Sequence, residues 1–190
     1  WLRDRGLPFT AAAAMAKLFG SETLARIVDM TLQIRGGRGF EREESLAERG
    51  EIPFPVERIF RDARINTIVE GTTDIMHLFI AREALDPHLK IAGALADSHA
   101  TPDAKAKALA SAMAFYPGWY AARWWPFDAS SPASIPSRLT GHIRFVQRAS
   151  RRLARSLFHA MVTVGPALER RQETLARFVD AGTDLLAIAV

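Results

Sequence analysis

Apolar side chains recur along the chain at intervals of three and four residues, and no stretch shows sustained apolar–polar alternation. That spacing predicts amphipathic α-helices rather than β-strands. The first long pattern covers residues 10–33, where Thr10 can cap the helix start and Met15, Leu18 and Val28 lie on the apolar side. Later patterns predict helices over residues 43–49, 55–64, 72–85 with a continuation over 88–97, 101–115, 137–164 and 167–190. The expected fold class is therefore all-α.

Prolines and glycines divide this helical pattern. Pro87 predicts a break or a restart because proline disfavours helical geometry in the residue before it, and Pro117-Gly118 predicts a helix end. Residues 98–101 are a predicted linker, so two helical bundles are expected, residues 1–98 and residues 99–190. The aromatic stretch 119–127 is typical of a packing cluster, and residues 128–137 are expected to form a loop.

Composition narrows the class of protein. The 190 residues are 48% hydrophobic, which supports a packed core and excludes a disordered chain. The sequence contains no run of about 18 uncharged apolar residues, so no membrane-spanning helix is predicted. The absence of cysteine excludes disulfides and zinc–thiolate sites and fits a reducing, cytoplasmic compartment. Because the chain starts at Trp1 without methionine and ends in an apolar run, we expect a fragment of a longer protein.

The candidate chemistry centres on Glu70 and Gly71. Thr72, Thr73 and Asp74 follow as helix-start residues, which places Glu70 on a loop just before a helix. A carboxylate there can act as a base, and the neighbouring backbone amides can polarise a substrate carbonyl. The residues alone favour the simpler interpretation, a glutamate that only interacts with the positive end of the helix dipole.

A second candidate feature is the glycine-rich turn that ends the first helix. Gly36, Gly37 and Gly39 allow positive φ and close backbone approach. Such a turn can present N–H groups to a phosphate. It is equally typical of a plain helix stop, and it lacks the strand–turn–helix context of a dinucleotide fingerprint.

Four motifs together resemble the C-terminal region of the acyl-CoA dehydrogenase family. They occupy residues 33–40, 55–65, 69–75 and 80–83 and read QIRGGRGF, PVERIFRDARI, VEGTTDI and IARE. Their order and spacing cover about residues 10–90. Residues beyond about 100 resemble, more loosely, the extra helical domain of large members that act on long acyl chains.

The resemblance implies a role for each motif residue. Glu70 looks like the base that removes the α-proton of an acyl-CoA thioester, and Gly71 like the residue that lies against the substrate. FAD is the implied cofactor. Its implied contacts are Thr72, Thr73 and Asp74 and, from a neighbouring subunit, the segment Gln33, Ile34, Arg35, Gly36 and Gly37.

The resemblance also implies partners and architecture. Residues 1–98 would be the C-terminal part of the family's helical domain, and residues 99–190 a truncated additional helical domain. An acyl-CoA substrate, electron-transferring flavoprotein or a similar acceptor, and a homo-oligomer are expected, with the isolated fragment inactive. The alternative is a helical interaction module that keeps the fold without catalysis.

The remaining charged residues suggest one further surface. On the helix from 137 to 164, a basic stripe lies opposite the apolar face, and it consists of Arg144, Arg148, Arg151, Arg152 and Arg155. It is either a solvated face or a surface that contacts anionic lipid. The five histidines show no metal-ligand spacing, and no nucleic-acid-binding motif accompanies the arginines.

Overall fold

The structure is a computed structural model that describes residues 2–125 and 136–190. Within these residues it contains helices and no strand, which confirms the all-α prediction. Short 3₁₀ segments lie at Arg3–Arg5, Ser137–Leu139 and Gly165–Arg170. The α-helices are α1 Thr10–Arg35, α2 Gly37–Phe40, α3 Glu43–Glu48, α4 Val56–Ile65, α5 Thr73–Ala96, α6 Pro102–Ala122, α7 Thr140–Val164 and α8 Gln172–Ala189.

Threonine caps begin two of the long helices as the sequence predicts. The Thr72 side-chain oxygen accepts a hydrogen bond from the Ile75 backbone N–H at 3.3 Å, and Thr101 accepts one from Ala104 at 3.3 Å. Each bond satisfies one of the N–H groups that a helix start leaves without an internal partner. These local contacts fix where α5 and α6 begin.

Two prolines lie inside helices, contrary to the expected breaks. Pro87 lies within α5 and Pro117 within α6. Packing on both sides of each proline explains the difference. Leu85 and His88 are buried on either side of Pro87. Around Pro117, the rings of Tyr116 and Trp119 lie 4.9 and 5.6 Å from that of Phe158 on α7.

The core joins helices from both ends of the chain. Buried side chains of α1, α5 and α8, together with Leu168 from the segment before α8, form one apolar cluster. Its other members are Ala14, Leu18, Ile80, Ala81, Leu85, Leu175 and Val179. Helix α8 therefore packs directly against the helices that carry the family motifs. The division at residues 98 and 99 stays a prediction.

The aromatic stretch after Pro117 is split between the interior and the surface. Trp119 is half-buried, and its ring lies edge-on to that of His88 at 5.1 Å. Trp124 and Trp125 are 62% and 60% exposed. Residues 126–127 of the predicted cluster and most of the predicted loop 128–137 lie outside the described residues. In the described part of the chain, no helix is long and apolar enough to cross a membrane.

Candidate active site at the start of helix α5

A short turn joins α4 to α5 and carries Glu70 and Gly71. The end of α4 closes with hydrogen bonds from the Ile68 and Val69 amides to the Ile65 carbonyl, each 2.9 Å. The Thr73 amide then donates to the Thr67 carbonyl at 3.1 Å, which closes the turn. Thr67 is buried at 5% exposure, so the base of the turn is fixed inside the fold.

Glu70 has an unusual backbone conformation. Its φ is 54°, and it is the one non-glycine residue with positive φ among residues 2–125 and 136–190. Its side chain is exposed just before the first turn of α5. A side chain in this region costs of order 1–3 kcal/mol and persists where the surroundings impose it, which is characteristic of functional sites. The carboxylate is thus held outward at a helix N-terminus.

Gly71 completes the turn with φ 96°, a conformation that favours glycine. A Cβ atom added to Gly71 would lie 2.6 Å from Met76 Sδ. The Gly71 carbonyl accepts a hydrogen bond from Lys17 Nζ of α1 at 2.5 Å. A long-range contact from another helix therefore holds the turn in addition to its own backbone.

Residues 72–74, which follow the turn, differ in their contacts with the rest of the fold. Thr72 caps α5, and its side chain is engaged with the Ile75 amide. Thr73 Oγ1 donates to Glu22 Oε1 of α1 at 2.5 Å. Asp74 is exposed in the first turn.

His77 connects this first turn to α8. Its Nδ1 lies 2.8 Å from the Thr73 carbonyl oxygen, and its Nε2 lies 2.7 Å from Asp180 Oδ1. Burial lowers the pKa of His77, but the hydrogen bonds to Asp180 and to the Thr73 carbonyl outweigh it, so the pKa is raised from 6.5. His77 lies in a polar cleft between α1, α5 and α8 that is also lined by Glu22, Arg26, Thr183 and Asp184.

Comparison with known proteins identifies the family. The sequence profile described as "Acyl-CoA dehydrogenase, C-terminal domain" matches residues 1–85. A probable acyl-CoA dehydrogenase of Mycobacterium tuberculosis, FadE10, is 47% identical over 183 residues, covering 93% of this chain and 27% of FadE10. The chain belongs to the acyl-CoA dehydrogenase family.

Other relatives match less than half of the chain. The bovine mitochondrial short-chain specific acyl-CoA dehydrogenase is 43% identical over 84 residues, which are 44% of this chain and 18% of the bovine protein. The acryloyl-CoA reductase (NADH) of Anaerotignum propionicum is 40% identical over 85 residues, 45% of this chain and 19% of the reductase. The chain thus spans about a quarter or less of the length of these relatives.

The glycine turn lies at the far end of α1 from the Glu70 turn. Lys17 contacts the Glu70 turn, whereas Gln33 lies sixteen residues further along the same helix, about 24 Å at 1.5 Å per residue. Within one chain, the structure therefore does not bring these two predicted parts of the site together. Gln33 and Ile34 are exposed at the end of α1.

The turn itself has a reason to contain glycine and a feature that suits an anionic ligand. Gly36 ends α1 with φ 59°. A Cβ at the buried Gly39 would lie 2.8 Å from the Leu32 carbonyl oxygen. Arg35 stacks over the Phe54 ring at 5.1 Å, and its buried Nε has no hydrogen-bond partner among the described residues. An unpaired guanidinium donor beside the exposed Gly36 and Gly37 is compatible with an anionic acceptor such as a nucleotide phosphate.

Sequence reasoning did not find the residues that hold the Glu70 turn. Lys17, Glu22 and Asp180 are 54, 51 and 103 positions from their partners. His77 did carry a local signal, since it lies four residues after Thr73 on the same helix face. Within the described residues, no group of three or more His, Asp or Glu side chains could hold a metal ion.

Proposed function

We propose that the full-length protein carrying this chain oxidises the α,β-bond of an acyl-CoA thioester, with Glu70 as the catalytic base. The observation that supports this most strongly is the backbone of Glu70, a side-chain-bearing residue at φ 54° before a helix. A glutamate whose only task is to favour the helix dipole has no need of this conformation. The proposal is consistent with the names of the relatives, which are acyl-CoA dehydrogenases.

The chain's own residues would perform the proton transfer. The α-C–H bond of the thioester breaks, the proton passes to the Glu70 carboxylate, and the developing enolate oxygen accepts a hydrogen bond from the Glu70 backbone N–H. Gly71 has no side chain that would meet Met76 Sδ, and its backbone would lie against the substrate. The hydride lost from the β-carbon needs an acceptor, which is the chemistry that bound FAD supplies.

The contacts around the turn would keep this geometry during the reaction. The Lys17 bond to the Gly71 carbonyl and the Thr73 bond to Glu22 approach from α1, and both are partly buried. A base and an oxyanion donor are effective only if they are already aimed at the reacting atoms. These contacts would supply that preorganisation.

FAD contacts would come from two chains. The separation of about 24 Å along α1 favours a neighbouring subunit as the source of Gln33, Ile34, Arg35, Gly36 and Gly37 at a given flavin. The surface around this turn is apolar and exposed, with Ile34 83%, Phe40 74% and Ile52 70% exposed. Exposed apolar groups of this size are typical of protein–protein contacts. Thr72, Thr73 and Asp74 would contribute the contacts from the same chain as Glu70.

A second candidate function is reduction of an unsaturated acyl-CoA. It is favoured by the similarity to the acryloyl-CoA reductase (NADH) of Anaerotignum propionicum. The same carboxylate would then deliver a proton to the α-carbon, and the β-carbon would receive a hydride, which bound reduced FAD can supply. A non-catalytic assembly module remains the alternative from a different class.

The proposed function also includes an electron acceptor and a surface that contacts the membrane. Electron-transferring flavoprotein, or a similar carrier, would remove the electrons.

On α7, Arg151 and Arg155 donate to the Trp125 and Arg123 carbonyls, and Arg155 also lies over the Trp124 ring at 4.0 Å. The exposed members of the basic stripe are Arg144, Arg148 and Arg152. A peripheral contact with anionic lipid would use these three.

Substitution of Glu70 by glutamine in the full-length protein tests the proposal. The change deletes the base and keeps the side-chain shape, so flavin content should stay normal and turnover should fall by about a hundredfold or more. Glu44→Gln is the matched control because Glu44 is an exposed glutamate on α3, away from the turn. Wild-type turnover in the Glu70 variant would contradict the assignment.

A further inference from the structure

We propose that Asp180 on α8 is a positioning residue of the reaction, which holds the first turn of α5, and with it Glu70, through His77. The inference rests on the proposed function. It links the C-terminal part of the chain, beyond the profile match at residues 1–85, to the catalytic turn.

The link consists of consecutive hydrogen bonds. Asp180 Oδ1 accepts from His77 Nε2 at 2.7 Å, and His77 Nδ1 donates to the Thr73 carbonyl at 2.8 Å. The amide of the same Thr73 closes the Glu70 turn on the Thr67 carbonyl at 3.1 Å. A shift of α8 at Asp180 would therefore reach the turn through one imidazole ring and one residue, Thr73.

The two partners of His77 are both hydrogen-bond acceptors. A carbonyl and a carboxylate are both satisfied only when both ring nitrogens carry hydrogen, which is the imidazolium form. The raised pKa of His77 agrees with this geometry. The charged groups that face the ring from the surrounding helices are Glu22 and Arg26 of α1, Asp74 of α5, and Asp180 and Asp184 of α8.

A positioning role explains this arrangement better than a stabilising one. The Asp180 side chain is 60% exposed, whereas that of His77 is 17% exposed. Ion pairs with such an exposed partner contribute little to stability because water screens them. Orientation of a partly buried imidazole, in contrast, needs only a directional acceptor at its outer nitrogen. Asp180 provides that acceptor from outside the turn.

The pH dependence follows from the sign of the shift. The contact is complete while His77 is protonated, and one of its two hydrogen bonds is lost as pH rises through the raised pKa. Replacement of Asp180 by asparagine removes the charge that raises this pKa, whereas the burial that lowers it remains. In that variant His77 should lose its proton, and with it one of these two hydrogen bonds, at lower pH than in the wild type.

The experiment compares Asp180→Asn, Asp180→Glu and Asp184→Asn in the flavin-loaded full-length enzyme with an acyl-CoA substrate. Asp180→Asn should lower kcat by about tenfold, a loss typical of a misplaced catalytic group, and leave KM within about twofold. Its loss should grow with pH because the alkaline limb of kcat moves to lower pH. Asp180→Glu should restore most of kcat, since it keeps the carboxylate.

Asp184→Asn is the matched control, since Asp184 lies one turn further along α8 in the same cleft and makes no hydrogen bond to His77 in the described part of the chain. Its kcat and pH profile should equal those of the wild type. Unchanged kcat and pH profile in a folded, flavin-loaded Asp180→Asn enzyme would overturn the inference, even if its thermal stability fell. Inactive wild-type enzyme, or an active Glu70→Gln variant, would instead contradict the proposed function.

A second variant applies if Asp180→Asn does not fold. His77→Gln removes the imidazolium within α5 itself, so it should lower kcat by about tenfold, leave KM within about twofold and remove the alkaline limb of kcat that His77 causes. Wild-type kcat and pH profile in a folded, flavin-loaded His77→Gln enzyme would overturn the inference.

Discussion

Replacement of Glu70 by glycine and by alanine separates the strain of the turn from the chemistry of its carboxylate. Both variants delete the proposed base, so both should be inactive in the full-length enzyme. They differ in whether a Cβ atom must adopt φ 54°. Relief of the left-handed conformation favours glycine by about 1–2 kcal/mol. The extra freedom of glycine in the unfolded chain opposes this by about 0.4–1 kcal/mol.

The net expectation is that Glu70→Gly is more stable than Glu70→Ala by about 0.8 kcal/mol, the middle of a range of roughly 0–1.6 kcal/mol. Urea unfolding of the chain measures this difference as a shift of the midpoint at constant m-value. Gly20 provides the matched control because it lies within α1, and a Cβ added there has no atom within 4 Å. There alanine should be more stable than glycine by about 1 kcal/mol, the opposite sign.

The sign of the difference at position 70 decides whether the backbone there is strained. A Glu70→Gly variant less stable than Glu70→Ala, by the ordinary amount seen at Gly20, would refute the strained turn. Equal stabilities would mean that the strain only offsets the greater freedom of glycine in the unfolded chain, about 0.4–1 kcal/mol.

Two further predictions concern other parts of the molecule. The pKa of the buried His88 is lowered from 6.5, mainly by burial and to a smaller extent by the charge of Arg123. The contribution of His88 to the free energy of unfolding is therefore complete above pH 6.5 and is lost as pH falls through the lowered folded pKa. His88→Phe, which has no titrating ring, should show a smaller loss of unfolding free energy on acidification in urea titrations at several pH values, and an unchanged pH dependence would contradict this. The full-length protein should sediment with anionic liposomes at low salt and be released as salt rises. A variant that combines Arg144→Gln, Arg148→Gln and Arg152→Gln should no longer sediment with them. Wild-type protein that stays in the supernatant at low salt would mean that the basic stripe is only a solvated face.

The sequence predicted helix type and most helix starts because those depend on neighbours a few residues apart. Thr72 and Thr101 cap α5 and α6 with their own side chains, and these contacts lie within three residues. The helix through Pro117 could not be predicted in this way. It depends on Tyr116 and Trp119 packing against Phe158, about forty positions later in the chain.

The candidate site likewise contains features that could be predicted from the sequence and features that could not. Glu70 and Gly71 could be found from their motif and their place before a helix. The positive φ of Glu70 could not, because side-chain-bearing residues usually avoid it, and the contacts that impose it come from Lys17 and, through Thr73, from Glu22 and His77. Long-range contacts of single polar residues leave no periodic signal in a sequence.

Anaerobic mixing of an acyl-CoA with the flavin-loaded full-length protein tests the central claim most directly. Wild-type protein should lose its oxidised-flavin absorbance within a single turnover, because removal of the α-proton by Glu70 permits hydride loss from the β-carbon. The Glu70→Gln protein, with the same flavin content, should keep that absorbance or lose it at least about a hundredfold more slowly. Bleaching of both proteins at the same rate would contradict the assignment of Glu70 as the base, and bleaching of neither would contradict acyl-CoA dehydrogenation itself.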